Sequence, residues 1–141
     1  MRYYLDTNIL IFVLLSIDRD ENISGKTKKI LEDYENVFYT SGIAVFELLH
    51  LLKIGKLKKD KKNAPDVDVF KLLKAAGITI IHTTDKHYKH YSTLQTEKEH
   101  KDPFDHIIIT QAISDKIPLI SSDTQFPFYE KQGLKLIFNK R

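Results

Sequence analysis

The chain has 141 residues, enough to bury a core and the length of one domain, placed here over 1–141. At 42% hydrophobic and 29% charged residues it has a globular composition, and no apolar run approaches the roughly 20 residues of a membrane span. Cysteine is absent, which removes disulfides, thiolate metal sites and a cysteine nucleophile, and the expected compartment is the cytoplasm.

The formal charge of +3 is mild and local. Lys53, Lys56, Lys58, Lys59, Lys61 and Lys62 crowd one loop, and Lys26, Lys28 and Lys29 form a second group. Such patches can attract a polyanion, but a solvated loop and helix ends account for them more simply.

In chain order, residues 2–5 are a short apolar run suited to a buried strand, and Asp6-Thr7-Asn8 offers helix-start chemistry before an apolar segment ending near Ile17. Residues 18–25 are polar and turn-like. Residues 26–34 carry helical spacing, with Thr27, Ile30, Leu31 and Tyr34 on one side. A β-rich run at 37–40 leads through Ser41-Gly42 into a helix carrying Glu47, which Gly55 and the lysine-rich loop end. Residues 66–76 form an amphipathic helix with Val67, Phe70, Leu72 and Leu73 clustered, stopped by Gly77. A strand at 78–81, a helix at 85–94 and a polar loop at 95–101 follow. Pro103 opens a helix running to about Lys116, where its missing N–H does least harm. A strand at 117–121, a turn or short helix after Asp123 and a strand at 134–138 complete the chain. Strands separated by helices imply right-handed crossovers and a mostly parallel sheet covered on both faces, a three-layer α/β/α sandwich.

Four acids stand where a chain normally avoids carboxylates: Asp6, Glu47, Asp105 and Asp123. Asp6 and Asp123 follow strands, and ligand sites in such sheets form beyond the carboxyl ends of strands. Asp105 falls in the first turn of a helix beginning at that edge. Glu47 lies about two turns into its helix, on a face shared with Ile43, Leu51 and Ile54, which points its carboxylate inward. Three of the four have structural readings: Asp6 and Asp123 as caps or turn residues, and Asp105 at N3 after an Asp102 N-cap. Glu47 has the weakest such reading, because a helix interior offers no free N–H; Glu47-x-x-His50 by itself is a weak metal-pair signal, and His50 reads as a core or rim histidine. Two like charges about 5 Å apart repel by about 3 kcal/mol at an effective dielectric near 20, so a gathered set recruits a cation or takes up protons. All-oxygen donors suit Mg²⁺ or Mn²⁺, and such a site suits phosphodiester hydrolysis.

The motifs carrying these acids resemble those of PIN-domain nucleases, and the small chain resembles the VapC-type toxins among them. Leu5-Asp6-Thr7-Asn8-Ile9-Leu10 is similar to the opening motif, and Ser41 through Glu47-Leu48, with Lys53-Ile54-Gly55-Lys56-Leu57, to the second. The stretch from His100-Lys101-Asp102-Pro103-Phe104-Asp105-His106 to Ala112 is the most specific match, and Ile120-Ser121-Ser122-Asp123, with Tyr129 and Gly133 beyond, resembles the last. The resemblance implies a PIN-like fold and a Mg²⁺- or Mn²⁺-dependent endoribonuclease that is inhibited by a cognate antitoxin and commonly forms toxin dimers. It assigns Asp6, Glu47, Asp105 and Asp123 as catalytic, metal-holding acids. Thr7, Asn8, Ser41 and Ser121 become candidates for hydrogen bonds to those acids or to phosphate; Asp102 is expected first to cap its helix and second to support the site. His106 stands where the family often has arginine, which puts a fixed cationic role there in doubt, and Phe46 where tryptophan is common. The alternatives are a PIN-like module that binds RNA or protein without cutting, and a PIN nuclease of RNA processing.

Overall fold

A computed structural model describes residues 1–15, 19–57 and 67–141. The expected helix end near Ile17, four lysines of the basic loop (Lys58, Lys59, Lys61 and Lys62) and Asp66 lie outside the described residues. Five strands form one sheet: β1 (Arg2–Leu5), β2 (Val37–Ser41), β3 (Ile78–Ile81), β4 (Leu119–Ser121) and β5 (Leu136–Phe138). Their order is β3-β2-β1-β4-β5, and every pairing is parallel. The central strands β1 and β4 are buried almost throughout, as a strand covered on both faces must be, whereas β2, β3 and β5 are only partly buried.

The helices are α1 (Thr7–Leu15), α2 (Arg19–Asn22), α3 (Gly25–Glu32), α4 (Gly42–Lys53), α5 (Val69–Ala75), α6 (Asp85–Tyr91) and α7 (Pro103–Asp115), with a 3-10 segment at Phe126–Gln132. α1 packs with α2, α4 and α5, α7 packs with α6 and the 3-10 segment, and α4 and α7 also meet each other. With the parallel sheet they make an α/β/α sandwich, whose two helical layers touch where α4 meets α7. α7 is buried at His106 through Ala112 without a break, so it has no solvent face to give it an amphipathic stripe. Among the described residues, no helix is long and apolar enough to cross a membrane.

The local chemistry accounts for most element ends. Ser24, Ser41, Asp68 and Asp102 cap α3, α4, α5 and α7 by accepting backbone N–H bonds. Some expectations are corrected. Part of the expected turn at 18–25 is the short helix α2. α5 buries Val69 and Leu73, and Phe70, expected on its apolar face, is 57% exposed. The last strands start two residues later than their apolar runs, because Ile117 and Leu134 give their N–H groups to Ala112 and Tyr129 carbonyls rather than to a neighbouring strand. Lys116, with φ of 55°, closes α7 in the left-handed conformation that glycine usually takes.

Candidate acidic site at the carboxyl edge of the sheet

Strands β1 and β4 lie side by side, yet the chain winds away from them in opposite directions, and the crevice between their carboxyl ends is the topological switch point. Leu5 pairs with Ile120, so Asp6 leaves β1 beside Ser121, the last residue of β4, and the Asp6 N–H is bonded to the Ile120 carbonyl at 3.0 Å. Asp6 is 3% exposed. Its Oδ1 accepts the Thr7 N–H at 2.8 Å, and its Oδ2 accepts the Ser121 hydroxyl at 2.7 Å and the Asn8 amide at 3.3 Å. The Ser121 hydroxyl also accepts the Asp123 N–H at 3.0 Å, and Asn8 Oδ1 accepts the Ser122 N–H at 3.2 Å. Asp6 is thereby tied to the loop that carries Asp123.

Two groups of side chains gather here. Single ligand atoms of Glu47, Asp102 and Asp105 all lie within 4.8 Å of one another, and so do those of His100, Asp105 and Asp123. Asp105 belongs to both. The first turn of α7 places it: Asp102 is N-cap, accepting the Phe104 N–H at 2.9 Å, Pro103 is N1, and Asp105 stands at N3. Asp102 therefore caps its helix and also stands among the acids. α4 brings Glu47, and Phe46 and Phe104, each one residue before a site acid, meet edge to face with centroids 5.9 Å apart.

Glu47 does not point into the core as its shared face with Ile43, Leu51 and Ile54 implied. The buried side of α4 is Ala44, Val45 and Leu48, Ile54 is 48% exposed, and Glu47 sits half-buried at the boundary. His50 is exposed and belongs to neither group. Ser41 is buried and caps α4 by accepting the Ala44 N–H at 3.0 Å.

The electrostatics follow from burying like charges together. Burial pushes the Asp6 carboxyl up to about 8; the Ser121 hydroxyl and Thr7 N–H pull it back, while the charges on Asp105 and Glu47 push it further. Asp105 is likewise raised to about 8, by burial first and then by Asp102, Asp123 and Glu47. Burial also raises Glu47, with Asp102 and Asp123 adding to it. The Thr7 hydroxyl lies near enough to pull Glu47 down, yet it does not close to a hydrogen bond and stays buried without a partner. A crowded set of carboxyl oxygens beside an unsatisfied buried hydroxyl matches the donors that a hard divalent cation takes.

His106, where a cation is usual in the resemblance, is buried; its Nε2 lies 2.7 Å from the His100 carbonyl, and burial lowers its pKa. Two neighbours of the acids escaped the sequence reasoning, His100 and Tyr129. His100 Nε2 is 2.9 Å from Asp105 Oδ2, and its Nδ1 is 2.9 Å from the Tyr129 hydroxyl. Both stand in the motif blocks, but nothing in their spacing ties a loop histidine to a tyrosine 29 residues on.

A five-stranded parallel sheet with acids gathered at its switch point defines an α/β protein with a candidate cation-binding crevice. The chain belongs to the PIN domain family, whose model matches residues 3–132. No curated protein sequence matches it. Its fold is similar to that of VapBC2 from Rickettsia felis bound to a DNA fragment from their promoter (TM-score 0.67, 22% identity, covering 99% of this chain and 100% of that one). It is also similar to FitAcB from Neisseria gonorrhoeae (TM-score 0.62, 23% identity, 97% and 96% covered) and to a toxin–antitoxin complex from Klebsiella pneumoniae (TM-score 0.58, 23% identity, 96% and 95% covered).

Proposed function

We propose that this protein, a single PIN domain over residues 1–141, is a divalent-metal-dependent endoribonuclease acting in the cytoplasm as the toxin of a toxin–antitoxin pair. The observation that carries the reading is the crowding of carboxylates at the switch point, where Asp105 lies close both to Glu47 and Asp102 and to Asp123. Family membership supports nuclease chemistry, and the toxin role leans on the similar fold found in the Klebsiella pneumoniae toxin–antitoxin complex. The partners under this reading are RNA as substrate, a cognate antitoxin and a second copy of the chain.

Asp6, Glu47, Asp105 and Asp123 would hold Mg²⁺ or Mn²⁺, which supplies a water of lowered pKa and neutralises phosphate charge. Asp6 is held for that task by the Thr7 N–H, the Asn8 amide and the Ser121 hydroxyl. Asp102 and the α7 dipole act at the same point, the dipole favouring negative charge there. With Asp6 and Asp105 raised to about 8, the free protein holds protons in the crevice at neutral pH, so cation uptake releases protons and strengthens as pH rises. Water adds to phosphorus and the bond to the 3′-oxygen breaks, leaving a 5′-phosphate and a 3′-hydroxyl.

The test is cleavage of mixed RNA in Mg²⁺ or Mn²⁺, with and without chelator, by wild type and Asp6→Asn. Metal-independent cleavage, or equal activity in the variant, overturns the nuclease reading. Growth arrest on expression, relieved by co-expressing the small protein encoded beside it, tests the toxin role; unimpeded growth with folded protein overturns that role alone.

A further inference from the structure

His100 begins the block that leads into α7, and it is 5% exposed. A buried imidazole needs partners for both nitrogens, and this one has them: Tyr129 at Nδ1 and Asp105 Oδ2 at Nε2, each at 2.9 Å. Which nitrogen carries the proton follows from both partners: an Asp105 carboxylate that holds a cation can only accept, so it takes a proton from Nε2 and leaves Nδ1 to accept from the Tyr129 hydroxyl. That hydroxyl accepts the Glu97 N–H at 3.1 Å, so its own proton is free to go to His100 Nδ1. With Nδ1 accepting, the proton of the neutral ring sits on Nε2, aimed at Asp105 Oδ2.

The ring is also held in place. Tyr129 is wholly buried and meets it at 5.5 Å, Phe126 tilts against it at 6.0 Å, and His106 packs edge to face at 4.7 Å while bonding the His100 carbonyl. His100 lies near enough to Asp105 and Asp123 to be counted with them as a ligand, but in this arrangement neither nitrogen has a lone pair to give a cation.

We propose that His100 is a positioning residue for Asp105: its Nε2–H holds Oδ2 and leaves Oδ1 directed to the cation, and Tyr129 fixes the tautomer that makes this possible. The inference rests on the metal-nuclease reading above. A hydrogen-bonded partner of a ligating group sets the orientation of that group, and losing such a partner typically costs roughly 10–100-fold in metal affinity.

The experiment is a Mn²⁺ titration of the full chain without RNA, by calorimetry and by loss of the free-ion paramagnetic resonance signal, on wild type, His100→Leu, His100→Gln and Tyr129→Phe. His100→Leu is expected to bind Mn²⁺ about 10–100-fold more weakly. His100→Gln, whose side-chain N–H reaches the place of Nε2–H, recovers most of that affinity. Tyr129→Phe keeps the ring packing but releases the tautomer, and binds several-fold more weakly; it serves as the primary variant where His100→Leu does not fold. Electron spin-echo modulation of bound Mn²⁺ in wild type shows no directly ligated nitrogen. Wild-type affinity in folded His100→Leu or Tyr129→Phe overturns the proposal, as does no recovery in folded His100→Gln or a ligated-nitrogen coupling in wild type. Failure of wild type itself to bind Mn²⁺ overturns the metal reading, and the proposal with it.

Discussion

Replacing Asp6 by asparagine should make the metal-free protein more stable at alkaline pH, although it removes an acid proposed to hold the metal. Asp6 is 3% exposed, and its carboxyl is raised from 3.8 to about 8, by burial first, with Asp105 and Glu47 adding to it. The folded value lies above the unfolded one, so between those values the native state holds a proton that the unfolded state has released. Stability is therefore fully present below about pH 4 and is lost as pH rises towards about 8. Each tenfold change in proton affinity is worth about 1.4 kcal/mol, so the whole interval corresponds to about 6 kcal/mol. Relaxation around the ionised group returns part of this. Asparagine carries no charge and can still accept the Thr7 N–H, but its amide would face both the Ser121 hydroxyl and the Asn8 amide, which donate to Asp6 Oδ2 at 2.7 and 3.3 Å, at a cost of about 2 kcal/mol. The net expectation at pH 8.5 in chelator is a gain of about 2–3 kcal/mol, or roughly 5–10 °C in Tm. Near pH 4 the gain vanishes and the loss of the Ser121 and Asn8 hydrogen bonds makes the variant the weaker of the two. Thermal unfolding followed by circular dichroism at the two pH values measures both. A wild-type Tm that rises with pH across this window, or an Asp6→Asn variant less stable than wild type at pH 8.5, refutes the reasoning.

Glu47→Gln removes one charge from a half-buried, raised carboxyl and leaves the packing of α4 intact, so Mg²⁺-dependent RNA cleavage should fall by about 100-fold while Tm shifts by only a few degrees; initial rates and unfolding on one preparation check the contrast. Ser121→Ala deletes a wholly buried hydroxyl that donates to Asp6 at 2.7 Å and accepts from Asp123 at 3.0 Å. It should cost about 1–3 kcal/mol in urea unfolding and also weaken cleavage. Lys116→Gly relieves a left-handed residue at the end of α7 and should stabilise by about 0.5–1 kcal/mol with no effect on RNA cleavage, whereas Gly133→Ala, at φ of 102°, should destabilise by about 1 kcal/mol or more; paired urea titrations report the opposite signs.

Much of the fold was legible because its signals are local. Asp102-Pro103 marks the start of α7 by capping chemistry alone, Gly77 stands just past α5 at φ of 72°, and the unbroken apolar runs of β1 and β4 mark central strands. Errors fell where a tertiary contact outweighed a local pattern. Phe70 shares the spacing of an apolar face but is left exposed, and Glu47 stands at the edge of the face it was assigned to. The apolar runs overstated two strands, because burial of Ile117 and Leu134 does not require a place in the sheet ladder.

By itself, the sequence determined the succession of strands and helices and placed an acid just beyond each of two strands, since periodicity, capping and burial cost act over a few residues. Only the tertiary structure decided the order β3-β2-β1-β4-β5, which lays β1 against β4 and sets Asp6 beside Ser121. It alone made Asp105 the shared member of two groups, drew Asp102 in, and set His100 between Asp105 and Tyr129. The physical reason is that a hydrogen bond or a repulsion between distant residues leaves no period in a chain; it exists only once the sheet order fixes which loops meet.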